Sequence, residues 1–251
     1  MQPTAGAKEP ETTGPKVSII CATYEQNPLW LGHAIQSMLL QEYPPFEIVL
    51  VTLKDDSNLP ALKQMKAMFG DERMRIIIAE KANPYSQRNV GLKKARGDLI
   101  TFCDSDDILL SNKLWFECSL LVQRQAALIY TSFLTADEHM NINGSFKHDG
   151  WTPEAMRKEQ TIPDYAMVPR KVWEEIGWLD PELQAAATWD AWLRIMERYP
   201  KDMYYRRVPT WIYRRRPGML SELEEKDPSQ WERRNEAKRR HYERTGEEMP
   251  P

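Results

Sequence analysis

The chain has 251 residues and a formal net charge of −3, enough to bury a full α/β core and without the positive excess that marks a general nucleic-acid binder. Cys21, Cys103 and Cys118 lack metal-ligand spacing and suit small buried side chains rather than a disulfide framework. No apolar run approaches the roughly 18 residues of a membrane span, and the N-terminal MQPTAGAKEPETTGPK lacks a signal peptide's apolar region, so the expectation is a cytoplasmic protein with a disordered leader over residues 1–15.

From Lys16 the pattern becomes regular. VSIIC, residues 17–21, predicts a strand of the inner-sheet kind, and a polar turn leads from it into a helix with Leu31, Ala34, Ile35, Met38 and Leu39 on one face. Pro44-Pro45 ends that segment and a second strand is expected over 46–51. Asp55 to Asn58 read as loop and cap for a helix through Leu62, Met65 and Phe69 to Gly70, followed by a third strand over 74–79. Asn83-Pro84 opens a helix that runs to Ala95 and closes at Gly97, before a fourth strand over 99–103. Strand and helix thus alternate four times, and such short connections specify an α/β fold with a mainly parallel central sheet flanked by helices.

Beyond the fourth strand the spacing predicts a buried helix over 114–122 and a strand over 128–134. Asn143-Gly144 suggests a hairpin turn inside a stretch, 137–164, that could pass over a cleft. Residues 170–176 read as a short helix, Trp189, Trp192, Leu193 and Met196 as one face of another, and 204–208 and 211–214 as two strands separated by Pro209. Residues 222–251 are expected to form a charged helical extension to a domain over 16–221.

The chemistry concentrates in GDLITFCDSDD, residues 97–107, where an apolar run ends in Asp104, Asp106 and Asp107. Parallel sheets bind ligands at the C-terminal ends of their strands, so these acids are expected in a cleft. Carboxylates this close repel one another unless a cation neutralises them, and a hard divalent ion, Mn²⁺ or Mg²⁺, is the natural partner. Arg214, Arg215 and Arg216, before Pro217-Gly218, offer guanidinium groups for an anionic ligand, with alternation sending Arg215 to the opposite face. Residues 206–244 hold 12 Lys/Arg against 7 Asp/Glu, which reads first as a solvated helix and second as a peripheral contact with an anionic membrane surface. The histidines lack metal-site spacing.

The segments VSIICATYE, EIVLV, SQRNVGLKKARGDLITFCDSDD, VPRKVWEEIGWLDPEL, TWDAWLRI and WIYRRRPGMLS, in that order, resemble the family 2 glycosyltransferases of GT-A fold over roughly residues 16–221. Arg88, Asn89, Gly91, Ala95, Gly97, Asp104, Asp106 and Asp107 match the most specific block of that family. The resemblance implies a metal-dependent, inverting transfer of a sugar from a nucleotide diphosphate sugar to the hydroxyl of a glycan, lipid or protein-linked acceptor. It implies Thr23, Tyr24 and Glu25 at the nucleobase and ribose, with Tyr24 able to stack on the base. It also implies Asp104 and Ser105 at the donor, Asp106 on the metal, Arg88 orienting a phosphate or an Asp, and Arg214 and Arg216 at the diphosphate. Arg216 stands where the family often carries His, so a fixed cation replaces an extra metal ligand.

Two departures bear on function. The family's second strand runs directly into a pair of acids, whereas here Thr52-Leu53-Lys54 intervene before Asp55-Asp56, which makes Asp56 the candidate for reading the base. Ala187-Thr188 stand where the family carries the Glu-Asp pair that supplies the catalytic base. Thr cannot take a proton near neutral pH. Asp190 is the nearest acid and the catalytic candidate, although capping its helix or pairing with Arg194 competes for it; Asp180 and Glu182 are further candidates. A sugar nucleotidyltransferase would need a Gly-rich phosphate loop after the first strand, and CATYEQNP contains no Gly. The alternative that stays open is a GT-A fold protein that binds nucleotide sugar or a partner without efficient turnover.

Overall fold

The computed structural model describes residues 14–43, 45–70, 72–81, 83–146, 150–217, 219 and 226–249. The expected leader up to Thr13, Pro44, His148, Gly218 and residues 220–225 lie outside the described residues. Four strands, β1 (Val17–Ala22), β2 (Phe46–Leu53), β3 (Met74–Ala79) and β4 (Leu99–Phe102), alternate with helices α1 (Pro28–Leu39), α2 (Leu59–Phe69) and α3 (Pro84–Lys94). The sheet has the order β3-β2-β1-β4, all parallel, and a short antiparallel strand, Val168–Pro169, adds to β4. Val17 faces Phe46 on one side and Leu99 on the other, so β1 is central. β1, β2 and β4 are buried along almost their whole length, which is why they read as unbroken apolar runs instead of alternating ones.

Two glycines of the specific block are explained by close approach. A Cβ on Gly91 would run into the side chains of Ile20 and Val51, so glycine lets α3 lie flat on β1 and β2. A Cβ on Gly97 would stand 2.6 Å from the backbone nitrogen of Ser18. Beside it, buried Glu47 accepts hydrogen bonds from Ser18 Oγ at 2.8 Å, Arg75 Nη1 at 2.9 Å and the Arg96 backbone, tying β1, β2, β3 and the turn before β4 together.

A second sheet follows the acidic loop. We number its strands β5 (Ile108–Leu109), β6 (Leu128–Ala136), β7 (Ile142–Phe146) and, after the Val168–Pro169 strand β8, β9 (Met203–Arg214); the sheet order is β5-β9-β6-β7. Residues 203–214 are one strand and not two: Pro209, which has no N–H to give, is absorbed by register shifts against Thr131 and Ser132. The β6–β7 hairpin exists, but its turn lies at Asp137–Asn141, where Asp137 Oδ1 accepts the backbone N–H of His139 and Asn141, each at 2.9 Å. Asn143 and Gly144 are inside β7, opposite Thr135. Helix α4 (Lys113–Arg124) backs this sheet, with Lys113 and Glu117 fully buried as an ion pair at 2.7 Å.

The last part of the chain supplies α5 (Pro153–Lys158), α6 (Arg170–Ile176), a 3₁₀ turn (Pro181–Ala186), α7 (Ala187–Arg198) and α8 (Ser229–Thr245). Helix α8 is docked, not solvated along its length as composition suggested: Ala237, His241 and Tyr242 are buried, and it packs on α7 and the 3₁₀ turn. Arg240 meets Asp180 at 2.5 Å and Arg244 meets Glu197 at 2.9 Å. Among the described residues no helix is long and apolar enough to cross a membrane.

Candidate active site

Three loops meet at the C-terminal ends of β1, β2 and β4. The first, after β1, carries Thr23, Tyr24 and Glu25 and ends at Asn27, whose side chain caps α1 by accepting from Leu29 N at 2.9 Å. Thr23 is buried with an unpartnered hydroxyl, and its carbonyl accepts from Gln87 Nε2 at 3.0 Å. Tyr24 is 38% exposed. Glu25 has φ +48°, a left-handed conformation held because Asp56 Oδ1 accepts its N–H at 3.1 Å.

The longer second loop proves to be mostly strand. β2 continues through Leu53, and a tight turn then brings Asp56 back under the first loop. Asp56 is buried: besides Glu25 it accepts from Asn58 N at 2.9 Å and from the Thr52 hydroxyl. Asn58 in turn donates to Gln26 O at 2.6 Å, and Gln26 donates to Ser105 Oγ at 3.1 Å, so one chain of hydrogen bonds joins all three loops. Asp56 is thus a brace for the first loop, with both oxygens engaged.

The three acids of the third loop are set apart. Asp104 Oδ1 accepts from Arg88 Nη2 at 2.7 Å, and Arg88 Nη1 reaches Asp164 at 2.6 Å. Arg88, only 4% exposed, lies over the rings of Phe102 and Tyr85. Burial works against its charge, but the carboxylates of Asp104 and Asp164 outweigh burial and hold its pKa well above the ordinary value. Asp107 is buried, accepting the Arg214 backbone N–H at 2.8 Å and the Tyr165 hydroxyl at 2.6 Å. Tyr165 also accepts the Asp104 N–H at 2.6 Å while its ring packs on Trp211. Asp106, between them, has Arg216 Nη2 at 3.8 Å. Burial first, and then the neighbouring carboxylates, raise the pKa of Asp106 and, further, of Asp107.

Arg214 and Arg216 come to this loop from the end of β9. Arg214 donates from Nε to Asp106 O at 2.7 Å and from Nη1 to Glu138 O at 2.8 Å, while its Nη2 is buried without a partner. Arg215, just past the end of β9, is exposed.

Among the described residues no three His, Cys, Asp or Glu side chains converge to cage a metal. The donor set still suits a divalent ion that shares its shell with a substrate: Asp106, and the Asp104 oxygen not taken by Arg88, are oxygen ligands, and ions of the Mg²⁺ kind are held by one or two carboxylates plus phosphate oxygens and water.

At the start of α7, Thr188 is fully buried with a hydroxyl that has no hydrogen-bond partner among the described residues. Asp190 is buried and doubly paired, to Arg194 Nε at 2.8 Å and to Arg244 Nη1 at 3.3 Å. Asp180 caps the 3₁₀ turn and meets Arg240, and Glu182 is exposed. Asn89 exchanges hydrogen bonds with both backbone groups of Leu179, fixing the start of that turn against α3.

Gln26, Asp164 and Tyr165 escaped the sequence reading. Only the loops that bring them to the acids reveal them; the one local signal was that 137–164 should pass over the cleft.

Comparison with known proteins places this arrangement. The sequence pattern described as "Glycosyl transferase family 2" matches residues 18–144. The uncharacterized glycosyltransferase YwdF of Bacillus subtilis is 30% identical over 208 residues, 77% of this chain and 71% of YwdF. Of a Rickettsia bellii glycosyltransferase, 31% identical over 123 residues, the chain spans only 17%. Among solved structures, S. aureus TarS 1–349 in complex with UDP-GlcNAc superposes with a TM-score of 0.64 at 16% identity, over 81% of this chain and 60% of that one. The mannosyltransferase PcManGT from Pyrobaculum calidifontis, in complex with GDP-Man and Mn²⁺, does so with a TM-score of 0.67 at 14% identity, over 99% of this chain and 69% of that one. The fold they share with it is the GT-A type, a mainly parallel sheet flanked by helices.

Proposed function

The chain belongs to glycosyl transferase family 2, and we propose that it binds a nucleotide diphosphate sugar at the C-terminal edge of its parallel sheet and moves the sugar, with inversion, to an acceptor hydroxyl. The observation that carries this reading is the division of labour among the three acids. Arg88 orients Asp104 and Tyr165 with the Arg214 backbone engages Asp107, which leaves Asp106 facing the guanidinium of Arg216. The donor complexes of TarS and PcManGT support the donor class.

In this reading Tyr24 stacks on the nucleobase, Thr23 and Glu25 meet the ribose side, and Asp56 acts by holding Glu25. Ser105 and Asp104 flank the sugar-phosphate. Asp106, helped by Asp104, would hold Mn²⁺ or Mg²⁺, which when bound supplies positive charge to the departing diphosphate. Arg214 and Arg216 approach the same oxygens from the other side. Inversion requires a carboxylate to take the acceptor's proton. Asp190 is tied to two arginines and Thr188 is not a base, so transfer to simple hydroxyl acceptors is slow while donor binding is intact. Arg240 and Arg244 of α8, which pair with Asp180, Asp190 and Glu197, are engaged within the protein, so a peripheral membrane contact would fall to the other basic side chains of the tail.

A thermal-shift panel of UDP-GlcNAc, UDP-glucose and GDP-mannose, with Mn²⁺ or with EDTA, tests the proposal. At least one donor should raise the melting temperature more with Mn²⁺, and Asp106→Asn should abolish the difference. No response to any donor would overturn it. Transfer rates of the parent and Asp190→Asn should be equally slow; a fast parent that Asp190→Asn silences would make Asp190 the base.

A further inference from the structure

Trp30 is the large side chain at this site with no role so far. It stands in the first turn of α1, just after the loop that carries Tyr24, and is only partly buried. Its ring nevertheless belongs to the opposite wall: the guanidinium carbons of Arg214 and Arg216 lie 5.4 and 5.1 Å from its centroid. Two like charges on one indole repel each other, and the negative face of the ring, with Asp106 and Asp107 nearby, offsets that repulsion.

The two arginines depend on the ring to different degrees. Arg214 is fixed independently, by its bonds to Asp106 O and Glu138 O. Among the described residues, Arg216 has the 3.8 Å contact with Asp106, and its Nε is buried with no hydrogen-bond partner. A long, four-torsion side chain with so few fixed bonds would sample many rotamers. The indole face, 5.1 Å away, is its other contact among the described residues.

We propose that Trp30 is a positioning residue for the anion-binding arginine pair: its face holds Arg216 beside Asp106, ready for the diphosphate of the bound donor. This rests on the donor-site reading above. A filler role would need only apolar volume at position 30, whereas positioning by the ring face needs an aromatic quadrupole, and the two are separable by substitution.

Trp30→Phe keeps an aromatic face and Trp30→Leu does not. Titration calorimetry with UDP and GDP in Mn²⁺ buffer should show Trp30→Leu binding about tenfold more weakly than the parent, and Trp30→Phe within about threefold, effects on the scale of a cation–π contact. In an Arg216→Gln background Trp30→Leu should add little further loss. The Nε–H proton resonance of Arg216, assigned through Arg216→Lys, should carry a ring-current shift that Trp30→Leu removes and Trp30→Phe partly retains. Equal binding by parent and Trp30→Leu would overturn the inference and leave the donor site standing, as would equal losses in Phe and Leu with the arginine resonance unmoved. A parent that binds neither nucleotide overturns the donor-site reading, and the inference with it.

Discussion

Arg88 is where stability and function meet most closely. Replacing it with Met keeps the length and most of the volume but removes the shared cation of Asp104 and Asp164, which it contacts at 2.7 and 2.6 Å. Breaking a buried ion pair by deleting one partner costs roughly 3–5 kcal/mol. Here the carboxylate side chains stay 43% and 28% exposed and can partly rehydrate, which places the loss near the lower end, about 3 kcal/mol. For a chain of this size that is a fall in melting temperature of about 6–12 °C. Lys at this position reaches one carboxylate at a time and should lose about half as much, since one charge-assisted hydrogen bond is worth roughly 1.5–3 kcal/mol. Urea unfolding of Arg88→Met, Asp104→Asn and the double variant checks both the size and the origin. The double variant should be less destabilised than the sum of the singles by about 1–2 kcal/mol. An Arg88→Met protein within about 1 kcal/mol of the parent, or strict additivity with Asp104→Asn, would refute the argument.

Other expectations concern acids whose environments differ in sign. The hydrogen bonds from Arg75, Ser18 and Arg96 prevail over burial and lower the pKa of Glu47, so its stabilisation is present above the unfolded carboxylate range and lost as pH falls through the folded value. Glu47→Gln should therefore destabilise at pH 7 by about 2 kcal/mol, with the gap to the parent closing in acid on thermal melts. Asp106 is the opposite case: its folded pKa is raised above the ordinary 3.8, so its contribution is fully present below the unfolded value and lost as pH rises through the folded one. In EDTA, Asp106→Asn should melt higher than the parent at neutral pH, and the two should converge on acidification; a constant difference would contradict this. Tyr165→Phe removes an acceptor from the Asp104 N–H and a donor to Asp107, and should cost about 2 kcal/mol in urea unfolding, with weaker nucleoside diphosphate binding.

β1, β2 and β4 were legible because burial on both faces writes itself into consecutive apolar residues, β3 because its apolar run survives partial exposure, and Asn83, Pro84 and Gly97 mark the ends of the elements between them. The second sheet was harder to read. β5 is two residues long, and Pro209 looks like a break but is tolerated by a shift of register. The hairpin signal at Asn143-Gly144 was real chemistry in the wrong place, because the aspartate turn at Asp137 closes the chain first. In the site, Asp104, Asp106 and Asp107 announced themselves by local repulsion. Their partners did not: Tyr165 is 61 residues from Asp104 and Asp164 is 76 from Arg88. Those contacts exist only once β8 has brought the loop before it against β4. The docking of α8 was invisible for a similar reason, since a helix rich in arginine looks solvated until Asp180, Asp190 and Glu197 are found opposite it.

The central claim is that a nucleotide diphosphate is held between Asp106 and the Arg214–Arg216 pair. A crystal structure of the protein soaked with Mn²⁺ and either UDP or GDP tests it most directly. Metal density is expected on Asp106, with diphosphate oxygens within hydrogen-bond distance of Arg214 or Arg216 and the base near Tyr24. A nucleotide bound elsewhere, or a diphosphate in this cleft touching neither Asp106-bound metal nor either arginine, would contradict it.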